Sequence, residues 1–322
     1  MLAGRIVERG RIDLVEVDEP ALGAGSAGEI IFQPEIGCLC GSDRPYFDGR
    51  QRLYPLDPGL SLHEIVGAVT STSGTRFEVG TRVLAVPIEH YGLFQRFRLS
   101  EERAIAIDPR VPLEVAVLAQ PLGTVIHALK KLPPVLDMDV VVVGQGPIGQ
   151  IFTAVLRNLG ANEVIALEPN GARLRMSPRM GATAAVDPTR EDPVAAVARI
   201  TRGRMADLVV EAVGHEDQAI DLCARLARKG GRILYFGVPE ETIERVSWRE
   251  LFFKNLTVHT SVGPDFARDF PLAMRWLAEG RIDLAPLITH RFPLREVQRA
   301  YETFRDRTDG ALKVLIQFPP AA

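Results

Sequence analysis

Val140–Gly149 reads VVVVGQGPIG, four valines that run directly into Gly144, Gly146 and Gly149 in the spacing G-x-G-x-x-G. The valine run has the composition of a buried strand. Pro147 opens a helical pattern in which Ile148, Ile151, Phe152, Val155 and Leu159 share one face and which stops at Gly160. Strand, glycine turn and helix in that order leave unpaired N–H groups at the helix start, where an anion can sit. Gly144 permits the tight turn, Gly146 lets backbone approach a pyrophosphate, and Gly149 allows close packing of helix on strand. The context, more than the glycines alone, makes this a dinucleotide signal.

Downstream, EVIALE from Glu163, TAAV from Thr183, DLVVE from Asp207, RILYFG from Arg232 and LTVHTS from Leu256 alternate with helical patterns. That rhythm predicts a doubly wound α/β domain with a parallel, Rossmann-type sheet. Its second strand ends at Glu168, whose carboxylate suits ribose hydroxyls and repels a 2′-phosphate, so NAD is expected over NADP. Arg173 and Arg175 pull the other way, since either could neutralise a phosphate. Gly144, Gly146, Pro147, Ile148, Gly149, Glu168 and Arg173 are the candidate cofactor contacts in this region.

Upstream, EIIFQPEIG from Glu29, HEIVGAVTS from His63, TRVLAV from Thr81 and FQRFRLS from Phe94 are short strands broken by Gly and Pro turns. After LTVHTS come a helix over Phe270 to Glu279, a strand ITHRF, a helix over Leu294 to Arg305 and a last strand LKVLIQF, which leave the alternating rhythm. They are expected to return to the β domain. The predicted organisation is therefore residues 1–125 plus 266–322 as a mostly β domain and 126–265 as the inserted dinucleotide domain.

Composition narrows the function classes. Lys+Arg 38 against Asp+Glu 41 gives a net charge of −3 over 322 residues, which offers no electrostatic case for nucleic acid. No apolar run approaches the roughly 18 residues that span a bilayer, so no membrane partner is expected, and MLAGRIVERG lacks the apolar core of a signal peptide. A cytoplasmic location is the expectation. Three cysteines, Cys38, Cys40 and Cys223, can build neither a disulfide framework nor a four-cysteine zinc site, so any metal must use mixed ligands. Cys40-Gly41-Ser42-Asp43 and His63-Glu64 supply a thiolate and an imidazole in the β domain. Taken alone, that pair reads as either a buried thiol with a structural histidine or an open, catalytic zinc site.

The whole chain resembles the medium-chain dehydrogenase/reductase superfamily, in its zinc-dependent alcohol, sorbitol and threonine dehydrogenase branch. The pieces that carry the resemblance occur in family order: GCLCGSD (Gly37 to Asp43), LHEIVGAV (Leu62 to Val69), QPLGTVIHA (Gln120 to Ala128), VVVVGQGPIG, VVEAVG (Val209 to Gly214), KGGRILYFGVP (Lys229 to Pro239) and DLAPLITHRFPL (Asp283 to Leu294). The resemblance implies a GroES-like catalytic domain carrying the Rossmann domain. It makes Cys40 and His63 zinc ligands, Gln120 the occupant of the third-ligand position, Ser42 the acceptor of the alcohol proton and Asp43 a support behind the ligands. Glu64 becomes an auxiliary carboxylate near the metal, and Thr124 a contact to the nicotinamide.

Four departures from the family pattern matter. Val86 runs through Glu89-His90-Tyr91 into Gly92, so the cysteine-rich lobe and its structural zinc are absent. Gln120 stands where the sorbitol-like branch has Glu, Pro45 where many members carry a relay histidine, and Leu62 where a glycine usually precedes the His-Glu pair, with a narrowed site as the expectation. Without the relay histidine, the proton is expected to leave by Tyr46 or bulk water. His90 reads equally as a border of the substrate cleft or an exposed turn residue, His127 as a packing histidine, and Arg225 to Arg232 as a solvated helix end.

The expected activity is hydride transfer between a secondary alcohol or polyol and NAD, with one catalytic zinc and a small-molecule alcohol or ketone as partner. The alternatives are a zinc-free reductase acting on an activated double bond, or an inactive dinucleotide-binding sensor or scaffold. LTVHTS, as the last strand of its sheet, is the candidate seam of a homodimer or homotetramer.

Overall fold

The computed structural model describes residues 1–23, 25–49, 53–214, 219–239, 242–243 and 246–320. By contact density the chain divides into two compact units, Met1–Pro121 with Phe266–Ala322, and Leu122–Asp265.

In the first unit β1 (Leu2–Glu8) and β2 (Arg11–Glu16) form an antiparallel hairpin. A seven-stranded sheet contains β3 (Glu29–Cys38), β4 (Glu64–Thr72), β5 (Arg82–Ala85), β6 (Phe97–Ser100) and β7 (Ala104–Ala106). Its central strands pair antiparallel, β3 with β4 and β4 with β5, and β6 adds to β3. Close approach of β3 and β4 depends on Gly67, where a Cβ would run into the carbonyl of Gln33.

The second unit holds β8 (Asp139–Val143), β9 (Glu163–Leu167), β10 (Ala184–Val186), β11 (Ala206–Glu211), β12 (Ala227–Tyr235) and β13 (Thr257–Thr260). They form one parallel sheet in the order β10-β9-β8-β11-β12-β13, the 3-2-1-4-5-6 order of a Rossmann sheet. Val140 to Val143 are 5% exposed or less, as a central strand covered on both faces requires. The chain then returns to the first unit, where β14 (Ile288–Pro293) pairs parallel with β15 (Lys313–Gln317), and β15 pairs antiparallel with β3. The fold is thus the α/β class expected, a Rossmann sheet carried by a mostly β unit.

Local expectations shift in three places. The helix read as Phe270 to Glu279 runs Phe266–Ala278 and takes Pro271 inside it as its sixth residue, where the missing N–H costs one intrahelical bond. The helix read from Leu294 begins with a 3₁₀ turn, Leu294–Glu296, before Val297–Asp306. Of Arg225 to Arg232, only Arg225 lies at a helix end; the residues from Ala227 onward are in a strand. The helix Ala219–Leu226 gives way at once to β12, because Ala227 pairs with Ala206 and Arg228 meets Asp207 at 2.6 Å.

Candidate metal centre and nucleotide loop

β3 ends at Cys38 and β4 begins at Glu64, and these two residues are register partners. The loops leaving one strand and entering the other therefore converge, which brings Cys40 to His63 although 22 residues separate them in the chain. The ligand atoms of Cys40, His63 and Glu64 lie within 4.8 Å of one another. Glu64 is fully buried, with Oε2 held at 2.5 Å by the equally buried Lys313 ammonium and Oε1 without a hydrogen-bond partner among the described residues. Ser42 Oγ and His63 Nδ1 are likewise buried and, among the described residues, without a hydrogen bond.

Asp43 organises this arrangement. Its Oδ2 accepts the Cys40 N–H at 2.8 Å, and its Oδ1 accepts the Leu62 N–H at 2.8 Å and the Ser61 hydroxyl at 3.1 Å. The same Oδ1 lies 3.9 Å from His63 Nδ1 and 3.6 Å from His90 Nδ1. With Nδ1 turned to the carboxylate, Nε2 is the nitrogen left for a metal. A thiolate, an imidazole and a carboxylate suit a catalytic zinc, and the unpartnered Glu64 oxygen supports that fit.

The electrostatics follow from burial. Burial works to raise the Asp43 pKa, but the imidazoles of His63 and His90 outweigh it and hold the carboxyl far below its usual range. Burial works to lower the His63 pKa, yet Asp43 and Cys40 raise it to about 10. In the metal-free protein His63 is consequently an imidazolium at neutral pH.

His90 is not an exposed turn residue: its ring lies 4.2 Å from that of His63 and 5.6 Å from that of Tyr46. The missing lobe is the signal for it, since a shortened loop at 86–94 must fold back over the ligands. Glu89 and His90 both take left-handed backbone, as do Ser61 and Leu62 facing them, and Ser61 N–H bonds the His90 carbonyl at 2.8 Å. Leu62 thus adopts the conformation for which glycine is suited, and its side chain is buried within the β-unit core. The expectation that Leu62 narrows the site is corrected accordingly. Lys313 and Tyr301 escaped the sequence reading because both sit in apolar strand or helix patterns. Gln120 is buried at the start of the helix Ala119–Leu129, and its side chain forms no hydrogen bond among the described residues. Thr124 and His127 lie partly buried on the same helix.

In the second unit Gly144 has φ +88° and its N–H bonds the Leu167 carbonyl at 2.8 Å. Gly146 is the extended N-cap of the helix Pro147–Asn158, so Pro147 and Ile148 form its first turn, and a Cβ on Gly149 would collide with the Gly144 carbonyl. Glu168 is 4% exposed and accepts the N–H groups of Gln145 at 2.8 Å and Asn170 at 2.9 Å, which ties the glycine loop to the end of β9. Arg173 reaches over the loop, with Nη1 3.6 Å from where a Cβ on Gly146 would stand.

Comparison with known proteins finds dehydrogenases similar to this chain. The family model described as zinc-binding dehydrogenase matches residues 147–279. An L-threonine 3-dehydrogenase of Bacillus subtilis is 36% identical over 196 residues, 61% of this chain and 56% of that protein, so the match spans little more than half of that relative. One from Bacillus velezensis is 26% identical over 322 aligned residues, covering 91% of this chain and 92% of the other. The solved structure of the alcohol dehydrogenase TADH from Thermus sp. ATN1 superposes with a TM-score of 0.86 at 24% identity, covering 99% and 100% of the two chains. The chain is thus similar to zinc-binding dehydrogenases over residues 147–279, and it shares the whole fold of the alcohol dehydrogenase. To that likeness the structure adds the Asp43 hub, the His90 ring beside it and the buried Glu64–Lys313 pair.

Because a metal needs neutral imidazole and thiolate, zinc uptake at pH 7 should expel the His63 proton, and affinity should climb as pH rises toward about 10. The sign is fixed by the raised pKa. The imidazolium stabilises the metal-free fold fully below about pH 6.5, and this contribution fades as pH passes about 10. Titration calorimetry in buffers of different ionisation enthalpy should count at least one proton released per zinc, and fewer in Asp43→Asn. Proton release that is unchanged in that variant would contradict the assignment.

Proposed function

We propose that the protein is an oxidoreductase that transfers a hydride between a secondary alcohol or polyol and NAD at a single catalytic zinc. The observation that carries this reading is the convergence of Cys40, His63 and Glu64 around unpartnered buried oxygen and nitrogen atoms. The named dehydrogenase relatives support it. A zinc-free reductase would have no use for a buried thiol, imidazole and carboxylate brought together.

When bound, zinc supplies a Lewis acid that polarises the alcohol oxygen and lowers its pKa, and NAD supplies the hydride acceptor. The chain's own residues do the remaining work. Cys40 and His63 would hold the metal, and the Asp43 carboxylate, 3.9 Å from His63 Nδ1, attracts that side of the ring electrostatically and leaves Nε2 for the metal. Ser42, whose buried hydroxyl has no partner among the described residues, accepts the alcohol proton and hands it outward. Pro45 cannot relay it, and Tyr46, whose ring lies 5.6 Å from that of His90, is the candidate to do so.

The third ligand position is filled by Gln120 or Glu64. Glu64 has the free oxygen, and Lys313 offsets its charge. With Lys313 counted, formal charges of zinc, Cys40, Glu64 and Lys313 sum to about +1 whichever of the two binds, which favours an ionised alcohol oxygen.

The cofactor would lie on Gly144, Gly146, Pro147, Ile148 and Gly149, its pyrophosphate at the helix start with Arg173 above it, and its nicotinamide against Thr124. Glu168 keeps one lone pair on each oxygen beyond its backbone bonds for the ribose hydroxyls, and its charge disfavours a 2′-phosphate. kcat/KM should therefore favour NAD. Glu168→Ser should move the ratio toward NADP while weakening both cofactors, because the loop also loses its tie. A native preference for NADP in steady-state assays would refute this.

A cytoplasmic homo-oligomer completes the proposal. β13 is the outer strand of its sheet, with Val258 43% exposed and Val262, just beyond it, 91% exposed. Light scattering should find a dimer or tetramer at micromolar concentration, and a monomer would contradict the pairing.

A further inference from the structure

Asp43 is reached from the far end of the chain by a hydrogen-bonded line that no requirement of packing explains. The Tyr301 hydroxyl, on the helix Val297–Asp306, donates to Ser61 Oγ at 2.7 Å, and Ser61 Oγ donates to Asp43 Oδ1 at 3.1 Å. The direction is forced. An ionised carboxylate can only accept, so the serine proton points to Asp43, and the serine lone pair is left to accept from Tyr301. Tyr301 and Ser61 are buried, at 3% and 0% exposure, so water does not compete with either bond. Ser61 is held with φ +111°, a conformation that costs a non-glycine residue free energy and that aims its hydroxyl at the carboxylate.

We propose that Tyr301 is a positioning residue of the metal centre, which through Ser61 fixes the Asp43 carboxylate that in turn sets Cys40 and His63. This rests on the reading of Cys40 and His63 as zinc ligands. The chain of donors polarises in one sense, each bond strengthening the next, so the tyrosine hydroxyl acts on Oδ1 although it does not touch it. Burial pushes the Tyr301 pKa well above its ordinary value, with the Asp43 charge adding to the effect, so the phenol stays a donor across the working pH range. Asp43 Oδ1 is also the oxygen that faces both imidazoles, and a small displacement of it moves His63 Nδ1 and the Cys40–Leu62 backbone frame together. Tyr301 thereby ties the last helix to a site that its sequence position, 240 residues from Ser61, gives no hint of.

Tyr301→Phe removes one oxygen and leaves the ring packed on Phe47, whose centroid lies 5.2 Å away. Zinc affinity, measured by competition with a chromogenic chelator, should fall about tenfold in Tyr301→Phe and at least as far in Ser61→Ala, the size of effect seen when support behind a ligand is lost. Cobalt(II) substitution should give shifted ligand-field bands in both. The double variant should bind zinc no more weakly than Ser61→Ala alone, because the tyrosine acts only through the serine. A merely structural tyrosine would instead lower the thermal stability of the metal-free protein with zinc affinity intact, or would weaken zinc binding by the same factor in the presence and absence of the Ser61 hydroxyl. Either result overturns the proposal while leaving the metal centre standing. A wild-type protein that takes up neither zinc nor cobalt overturns the metal reading itself.

Discussion

The buried carboxylate of Asp43 is the constraint on which the site depends. A charge at 1% exposure is tolerable only if its acceptor positions are filled, and here they are filled by the segments that bear Cys40 and His63. The N–H of Cys40, the N–H of the residue preceding His63 and the hydroxyl of Ser61 all converge on it, so satisfying Asp43 and placing Cys40 and His63 are one folding event. Substituting the carboxylate by an apolar group would strand those donors as well as release the imidazoles.

The arrangement carries visible costs. Ser61, Leu62, Glu89 and His90 are held in left-handed backbone, each at an expense on the order of 1–2 kcal/mol, and Lys313 is buried to 1% exposure for the sake of Glu64. A hydrophobic pair in place of Glu64 and Lys313 would pack in the same space without desolvating two charges. Concentration of strain and buried charge at one place in an otherwise apolar β core is the mark of a functional site, where stability is given up for geometry. The nucleotide loop follows a milder version of the same logic: Glu168 spends its carboxylate on two backbone N–H groups and so stiffens the turn that Gly144 makes possible.

Much of this was legible in sequence because it is local. VVVVGQGPIG declares strand, turn and helix within ten residues, and the alternation that follows it determines the parallel sheet. Residues whose roles come from long-range pairing were not legible in the same way. Cys40 and His63 acquire meaning only when β3 and β4 pair, which the resemblance supplied and the spacing did not. Lys313 reads as an edge lysine of an apolar strand, and Tyr301 shares its helix face with Val297, Ala300 and Phe304, so both look like ordinary pattern members. Arg225 to Arg232 is legible only at Arg225, which does end a helix: its charges argue for a solvated end throughout, and only the pairing of Ala227 with Ala206 draws the rest into a strand.

Metal analysis of the native protein, purified without chelators and paired with Cys40→Ser, tests the central claim most directly. The account predicts about one zinc per chain in the native protein and its loss in the variant, which keeps its fold because Asp43 is still satisfied by backbone and Ser61. A native protein without zinc, or a Cys40→Ser protein that retains it, would contradict the account.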